Sequence, residues 1–171
     1  MSLKDTIVAT QTDLRANPDH AVATFEADSH QVEGLRSEAK IRQFCLTVDE
    51  PPNLGGTDAG PNPVELVLAA LATCQEITYR AYATALGIPL DSVSVKLEGA
   101  LDLRGFFGVK DDVRAGFRDI RGTVDLKSSA SAADLAKLKA VVDAHCPVLD
   151  ILRAPVPVDL TLKTERTSQA A

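Results

Sequence analysis

From Val64 to Thr73 the chain is apolar on nearly every side, Glu65 being the exception. A helix without a polar stripe belongs inside a molecule, so burial all round is expected here. The helix-compatible stretch runs from Pro63 to Ala85, and its start is well marked. Asn62 suits the N-cap, Pro63 the first helical position and Glu65 the third, which completes a capping box. Gly87-Ile88-Pro89 ends it. Polarity changes after Cys74, where Gln75, Glu76, Thr78 and Arg80 follow, so Cys74 stands at the border between a dry half and a wetter half.

The flanking patterns are shorter. Leu3 to Ala16 reads as an amphipathic helix with Ile7, Val8 and Leu14 as its apolar contacts, stopped by Asn17-Pro18. Ala21–Ser29 and Ser37–Asp49 read as two strands of an antiparallel hairpin around Glu33-Gly34. In the second run Arg42, Phe44, Leu46 and Val48 share one face, and Ile41 and Cys45 the other. Glu50–Pro63 holds four Pro and three Gly, which marks a loop of tight turns.

Beyond the long helix, Leu90–Leu103 and Phe117–Lys127 form a second strand pair, with a turn at Gly105–Gly108 and a break at Gly122. Ala132–Ala144 reads as a helix capped by Ser131, with Leu135, Leu138, Val141 and Val142 on its apolar face. Pro147–Arg153 adds a short helical turn, Val156–Lys163 alternates strictly as a last strand, and residues 164–171 are a polar, frayed tail. The order helix, β-β, long helix, β-β, helix, β predicts an α+β fold with antiparallel pairing. One domain spans residues 1–171, with 1–20 as an N-terminal helical extension.

Composition narrows the chemistry. Aromatic residues make up 4% and Trp is missing, so the core is built from Val, Leu, Ile and Ala. A net charge of −6 argues against nucleic acid and against an anionic membrane surface. No apolar run reaches the ~20 residues a membrane span needs. Met1–Asp5 shows no basic region followed by an apolar one, so no export signal is expected and the location expected is cytoplasmic. In that compartment cysteines rest as thiols, and a disulfide is more often transient and catalytic than structural.

Three cysteines carry the candidate chemistry. Cys146 precedes Pro147, so it falls at the N-cap of the short helix, where unpaired N–H groups and the helix dipole favour a thiolate. The bland alternative is a small apolar filler at a helix break. Cys74 is mid-helix and needs a nearby base or cation to react, the alternative being a buried structural thiol. Cys45 reads as packing. No CxxC pair exists, and His20, His30 and His145 are too few and scattered for a metal site.

Together, residues 49–74 (DEPPNLGGTDAGPNPVELVLAALATC), followed 72 residues after Cys74 by His145-Cys146-Pro147, resemble the OsmC/Ohr family of osmotically inducible and organic hydroperoxide resistance proteins, over roughly residues 30–162. The resemblance implies an OsmC-like α+β fold in which two chains interlock as a homodimer. Antiparallel sheets enclose two central helices, and the active sites lie at the dimer interface. It also implies thiol-dependent reduction of organic hydroperoxides, with Cys74 as the peroxidatic thiolate and Cys146 as the resolving thiol. A thiol or lipoyl-type dithiol reductant then resets the pair, and no bound cofactor or metal is needed. By position Arg36 matches the family's activating arginine, with Arg42 the competitor. The family's functional glutamate corresponds to Val64. Glu65 lies about half a turn round the helix from the thiol and belongs to the cap. The rival reading is a non-catalytic OsmC-fold module that binds an apolar small molecule or senses redox state. A thiol enzyme of other specificity is a third.

Overall fold

The computed structural model describes residues 1–164, so all of the expected frayed tail but Thr164 lies outside it. In chain order it contains α1 (Leu3–Ala16), β1 (Asp28–Glu33), β2 (Arg36–Ile41), β3 (Phe44–Val48), α2 (Pro63–Leu86) and β4 (Ser92–Leu101). These are followed by α3 (Leu103–Phe106), β5 (Phe117–Lys127), α4 (Ala132–His145) and α5 (Pro147–Arg153). The strands form a three-stranded antiparallel sheet, β1-β2-β3, and a two-stranded one, β4-β5. The α+β class and the antiparallel pairing are as the pattern predicts. No helix among the described residues is long and apolar enough to cross a membrane.

The long helix begins as its sequence dictates. The Asn62 side chain accepts the Glu65 N–H, and the Glu65 carboxylate accepts the Asn62 N–H, both at 2.9 Å. Gly87, left-handed at φ 69, closes the other end. The loop before the helix is folded around one carboxylate. Asp49, 1% exposed, accepts the N–H groups of Glu50, Thr57 and Ala59 and the Thr57 hydroxyl. A Cβ on Gly56 would collide with the Glu50 carbonyl, so only glycine lets the loop close this tightly.

Several expectations are corrected. Ala21–Ser29 is mostly not a strand: Pro18–Ala21 forms a 3₁₀ turn, and pairing starts only at Asp28. Ser37–Asp49 is not one strand either. It folds back at Arg42-Gln43, so that Ile41 pairs with Phe44. Arg42 takes the left-handed conformation at φ 55 there, a turn made without the glycine that would have marked it. Gly105 and Phe106 belong to α3, capped by Asp102. Gly122 does not break β5: it pairs with Leu97, where a Cβ would strike the Lys96 carbonyl. Val156–Lys163 forms no strand, and among the described residues no strand edge pairs with it. Val158, Leu160 and Leu162 are 75%, 87% and 85% exposed.

The core lies between α2, α4 and the β4-β5 sheet. Tyr79, Ala83, Leu90, Leu138 and Val142 are buried together, backed by Val93, Val124 and Leu126. The expected polarity of α2 is inverted. Of the apolar stretch 64–73 only Leu71 is buried, whereas Gln75, Thr78, Tyr79 and Ala83 of the polar half are buried. α4 and β4 pack against the second half, whereas Val64, Leu66, Val67 and Leu68 of the first half are only half-buried among the described residues. The exposed area of 13014 Å² shows the same deficit, since a monomer of this mass ordinarily exposes about 8,100 Å².

Candidate active site

Cys146 owes its position to a break between two helices. It is the C-cap of α4 and the N-cap of α5, with φ −81 and ψ 111, the extended conformation that a following proline imposes. Its N–H donates to the Val142 carbonyl at 3.0 Å, and its carbonyl accepts the Asp150 N–H at 3.0 Å. Leu138 and Val142, both 0% exposed, pin α4 in the core that Tyr79 and Ala83 of α2 share. The Cys146 sulfur, 1% exposed, is thereby held 3.2 Å from the Cys74 sulfur, toward which its thiol donates. A disulfide needs about 2.05 Å, so the pair needs little movement to bond. Cys74 keeps partial exposure.

Burial pushes the Cys74 thiol above its ordinary value of 9.0, the backbone N–H of Val148 opposes that rise, and Cys146 adds to it. Val148 is the second residue of α5, and Pro147 before it has no N–H to offer. The amino end of α5 therefore acts on Cys74. The sequence placed that influence on Cys146, whose side chain makes no cap hydrogen bond. The Thr78 hydroxyl donates to the Cys74 carbonyl at 2.7 Å. No cationic side chain is among the groups acting on Cys74.

The chain thus brings together Cys74 and Cys146 and leaves the arginines elsewhere. Arg36, in β2, pairs with Glu33 at 3.5 Å, and its Nε is buried without a partner among the described residues. Arg42 lies in the hairpin turn with its guanidinium 5.2 Å over the Phe44 ring. Cys45, expected to be packing, is exposed at the start of β3, where Phe44 is exposed too, whereas Leu46, Thr47 and Val48 are half-buried. His145 stacks on Tyr82 with ring centroids 5.2 Å apart, an apolar contact for its ring. Among the described residues no cluster of His, Cys, Asp or Glu could hold a metal.

A cleft of about 640 Å³ is lined by residues of α2, α4 and α5, the helices that carry or flank the two thiols, with neither cysteine itself on its wall. Leu71 and Gln75 of α2, Val95 and Leu97 of β4, and Leu149 and Leu152 of α5 line it, with Arg114, Arg118 and Arg153 also on its wall. Gln75 is the residue that sequence reasoning misplaced, having assigned it to the wetter half. It is 6% exposed, and its Nε2 has no partner among the described residues. One signal was available. Residues 71, 75, 79 and 83 recur every four positions, one continuous stripe of the helix, and all four are buried.

Residues 56–161 match the family model described as OsmC-like protein. An uncharacterised protein of Bacillus subtilis, YmaD, is 28% identical over 121 residues, covering 68% of this chain and 77% of that protein. An OsmC-like protein from Mycoplasma pneumoniae superposes with a TM-score of 0.67 at 21% identity, over 78% of this chain and 89% of that one. An organic hydroperoxide resistance protein from Legionella pneumophila gives a TM-score of 0.59 at 23% identity, over 78% and 91% of the two chains. These structures share the fold.

Proposed function

Since this chain belongs to the OsmC-like protein family, we propose that it is a thiol-dependent peroxidase that reduces organic hydroperoxides, with Cys74 attacking and Cys146 resolving. The observation that carries this reading is the 3.2 Å separation of two sulfurs, of which only Cys74 has access to solvent. The apolar walls of the neighbouring cleft favour an organic substrate over hydrogen peroxide. The name of the Legionella pneumophila protein, which has the same fold, agrees with this assignment.

The Cys74 thiolate attacks the distal peroxide oxygen. The O–O bond breaks, the alcohol leaves with a proton, and Cys74 becomes a sulfenic acid. Cys146 then attacks that sulfur, forming the disulfide and releasing water. An external dithiol, of thiol or lipoyl type, reduces the disulfide by exchange and becomes a disulfide itself. The resting thiols suit a reducing, cytoplasmic location.

Two copies interlock in this reading. The under-buried surface, the half-buried first half of α2 and the unpaired segment 156–163 are what the second copy covers. Arg36 supplies the positive charge that Cys74 lacks within its own chain. Its sheet makes that contact in the dimer, which gives the buried, unpartnered Nε a role. Arg42 is engaged with Phe44.

Stopped-flow oxidation by cumene hydroperoxide with dithiol recycling tests the assignment. Cys74→Ser is expected to lower turnover by ~10³-fold or more. Cys146→Ser keeps the first oxidation and accumulates a sulfenic acid that dimedone traps. Turnover indifferent to Cys74→Ser would remove the proposal. The raised affinity of Cys74 for its proton and Val64 in the family's glutamate position favour a second reading, a redox-sensing or small-molecule-binding module without turnover. Under that reading peroxide forms the disulfide, but dithiol recycling is slow.

A further inference from the structure

Gln75 combines three properties found together nowhere else among the described residues. It follows the attacking cysteine in the chain, it lines the cleft against α2, α4 and α5, and its side-chain nitrogen is buried without a hydrogen-bond partner. A buried amide N–H without an acceptor is costly, and native structures rarely keep one without a reason. The glutamate that the family would offer is Val64 here, and Glu65 is committed to the Asn62 cap. Glu76, the next carboxylate along the helix, accepts the Val95 N–H at 3.3 Å and is tied to β4. Of these groups Gln75 alone is left with an unspent donor, and a carboxamide stays neutral when buried.

We propose that the Gln75 carboxamide donates a hydrogen bond to an oxygen of a ligand in this cleft and so orients it beside Cys74. The ligand class is an uncharged, apolar-bodied oxygen compound: an organic hydroperoxide before reaction and its alcohol after it. Its body lies on Leu71, Leu149 and Leu152, and its oxygen meets Gln75. The inference rests on the peroxidase reading for the identity of the ligand, and its test does not require turnover.

The probe is 2-phenyl-2-propanol, the unreactive alcohol left by cumene hydroperoxide, titrated into reduced, full-length, ¹⁵N-labelled protein. The Gln75 side-chain NH₂ resonances, identified by their loss in Gln75→Met, are expected to shift saturably. Gln75→Met is expected to weaken binding about three- to tenfold. Gln75→Glu weakens it as well, because a carboxylate has no hydrogen to donate. The rate of Cys74 alkylation by iodoacetamide stays the same in Gln75→Met, while KM for cumene hydroperoxide rises. No saturable shift of the Gln75 resonances, or equal affinity in Gln75→Met, overturns the proposal. The resonance shift is read on the unaltered chain, so a misfolded variant does not remove the test. Binding without turnover supports the Gln75 role and sinks the peroxidase. Turnover with unmoved Gln75 resonances does the reverse.

Discussion

Cys146 caps α5 with its backbone, and the N–H of Val148, the first that this helix offers, pulls the Cys74 thiol down against the rise that burial causes. Pro147 at the first helical position is what arranges this, because it withholds the donor nearest Cys146 itself. Of two sulfurs 3.2 Å apart, the accessible one therefore receives the helix terminus.

Burial holds the Cys74 thiol above 9.0 within one chain. The folded state thus prefers the neutral thiol. The stability this contributes is fully present below the unfolded value and is lost as pH rises through the folded one. In Arg36→Met, which keeps the single-chain surroundings, two outcomes are expected. Iodoacetamide alkylation of Cys74 has its midpoint above 9.0, displaced upward from wild type. Urea midpoints also fall more steeply from about pH 8 to 10 than in the double variant with Cys74→Ser. Identical alkylation profiles for wild type and Arg36→Met remove Arg36 from the site.

Asp49 titrates in the opposite sense. The Thr57 hydroxyl first, then the N–H groups of Thr57, Ala59 and Glu50, lower its carboxyl from 3.8 to about 2 against the effect of burial. Its contribution is present above pH 3.8 and is lost as pH falls toward 2. Asp49→Asn is expected to be less stable at neutral pH and to lose less between about pH 4 and pH 2. Chemical denaturation across that range measures the difference. Equal slopes for the two proteins would show that the loop does not depend on the charge.

Asn62→Ala is expected to cost about 1 kcal/mol of stability through the lost cap. Glu65→Gln leaves the rate of peroxide attack at Cys74 unchanged, since Glu65 is bound to the Asn62 N–H. A tenfold drop in that rate with Glu65→Gln would return Glu65 to the catalytic machinery.

The alternating segment ending in Leu160 and Leu162 forms no strand, and both leucines are exposed. Leu160→Asp is expected to weaken self-association about tenfold or more, since a charge would enter a buried face. Sedimentation equilibrium reads this directly. A wild-type chain that remains monomeric at all concentrations rules out the interlocked form.

The elements that local chemistry specifies were legible: the α2 cap at Asn62 and Glu65, β5 over Phe117–Lys127, and the α4–α5 break at Cys146. The turn at Arg42-Gln43 was hidden because alternation continues through it and no glycine marks it. The strand expected at Val156–Lys163 failed for another reason. Alternation reports what a segment can pair with, and among the described residues no strand edge pairs with it. Both cysteines were legible as candidates, yet their separation depends on packing between residues 72 apart. Gln75 was misread because polarity along the sequence was taken for polarity around the helix, and the i, i+4 stripe from Leu71 to Ala83 decides the latter.

The half-covered first half of α2 bears on how the molecule is made. A chain leaving the ribosome can cap α2, form the β4-β5 hairpin and seat Leu138 and Val142, all first-order steps. Leu66, Val67 and Leu68 are still only partly covered at that stage. In the two-copy reading, completion waits on an encounter, so its rate scales with the square of the concentration of newly made chains. Until then each chain carries an adhesive stripe that chaperones and aggregation compete for. Dilute refolding should therefore stall at a half-finished protomer, and faster synthesis should shorten the interval in which it is vulnerable.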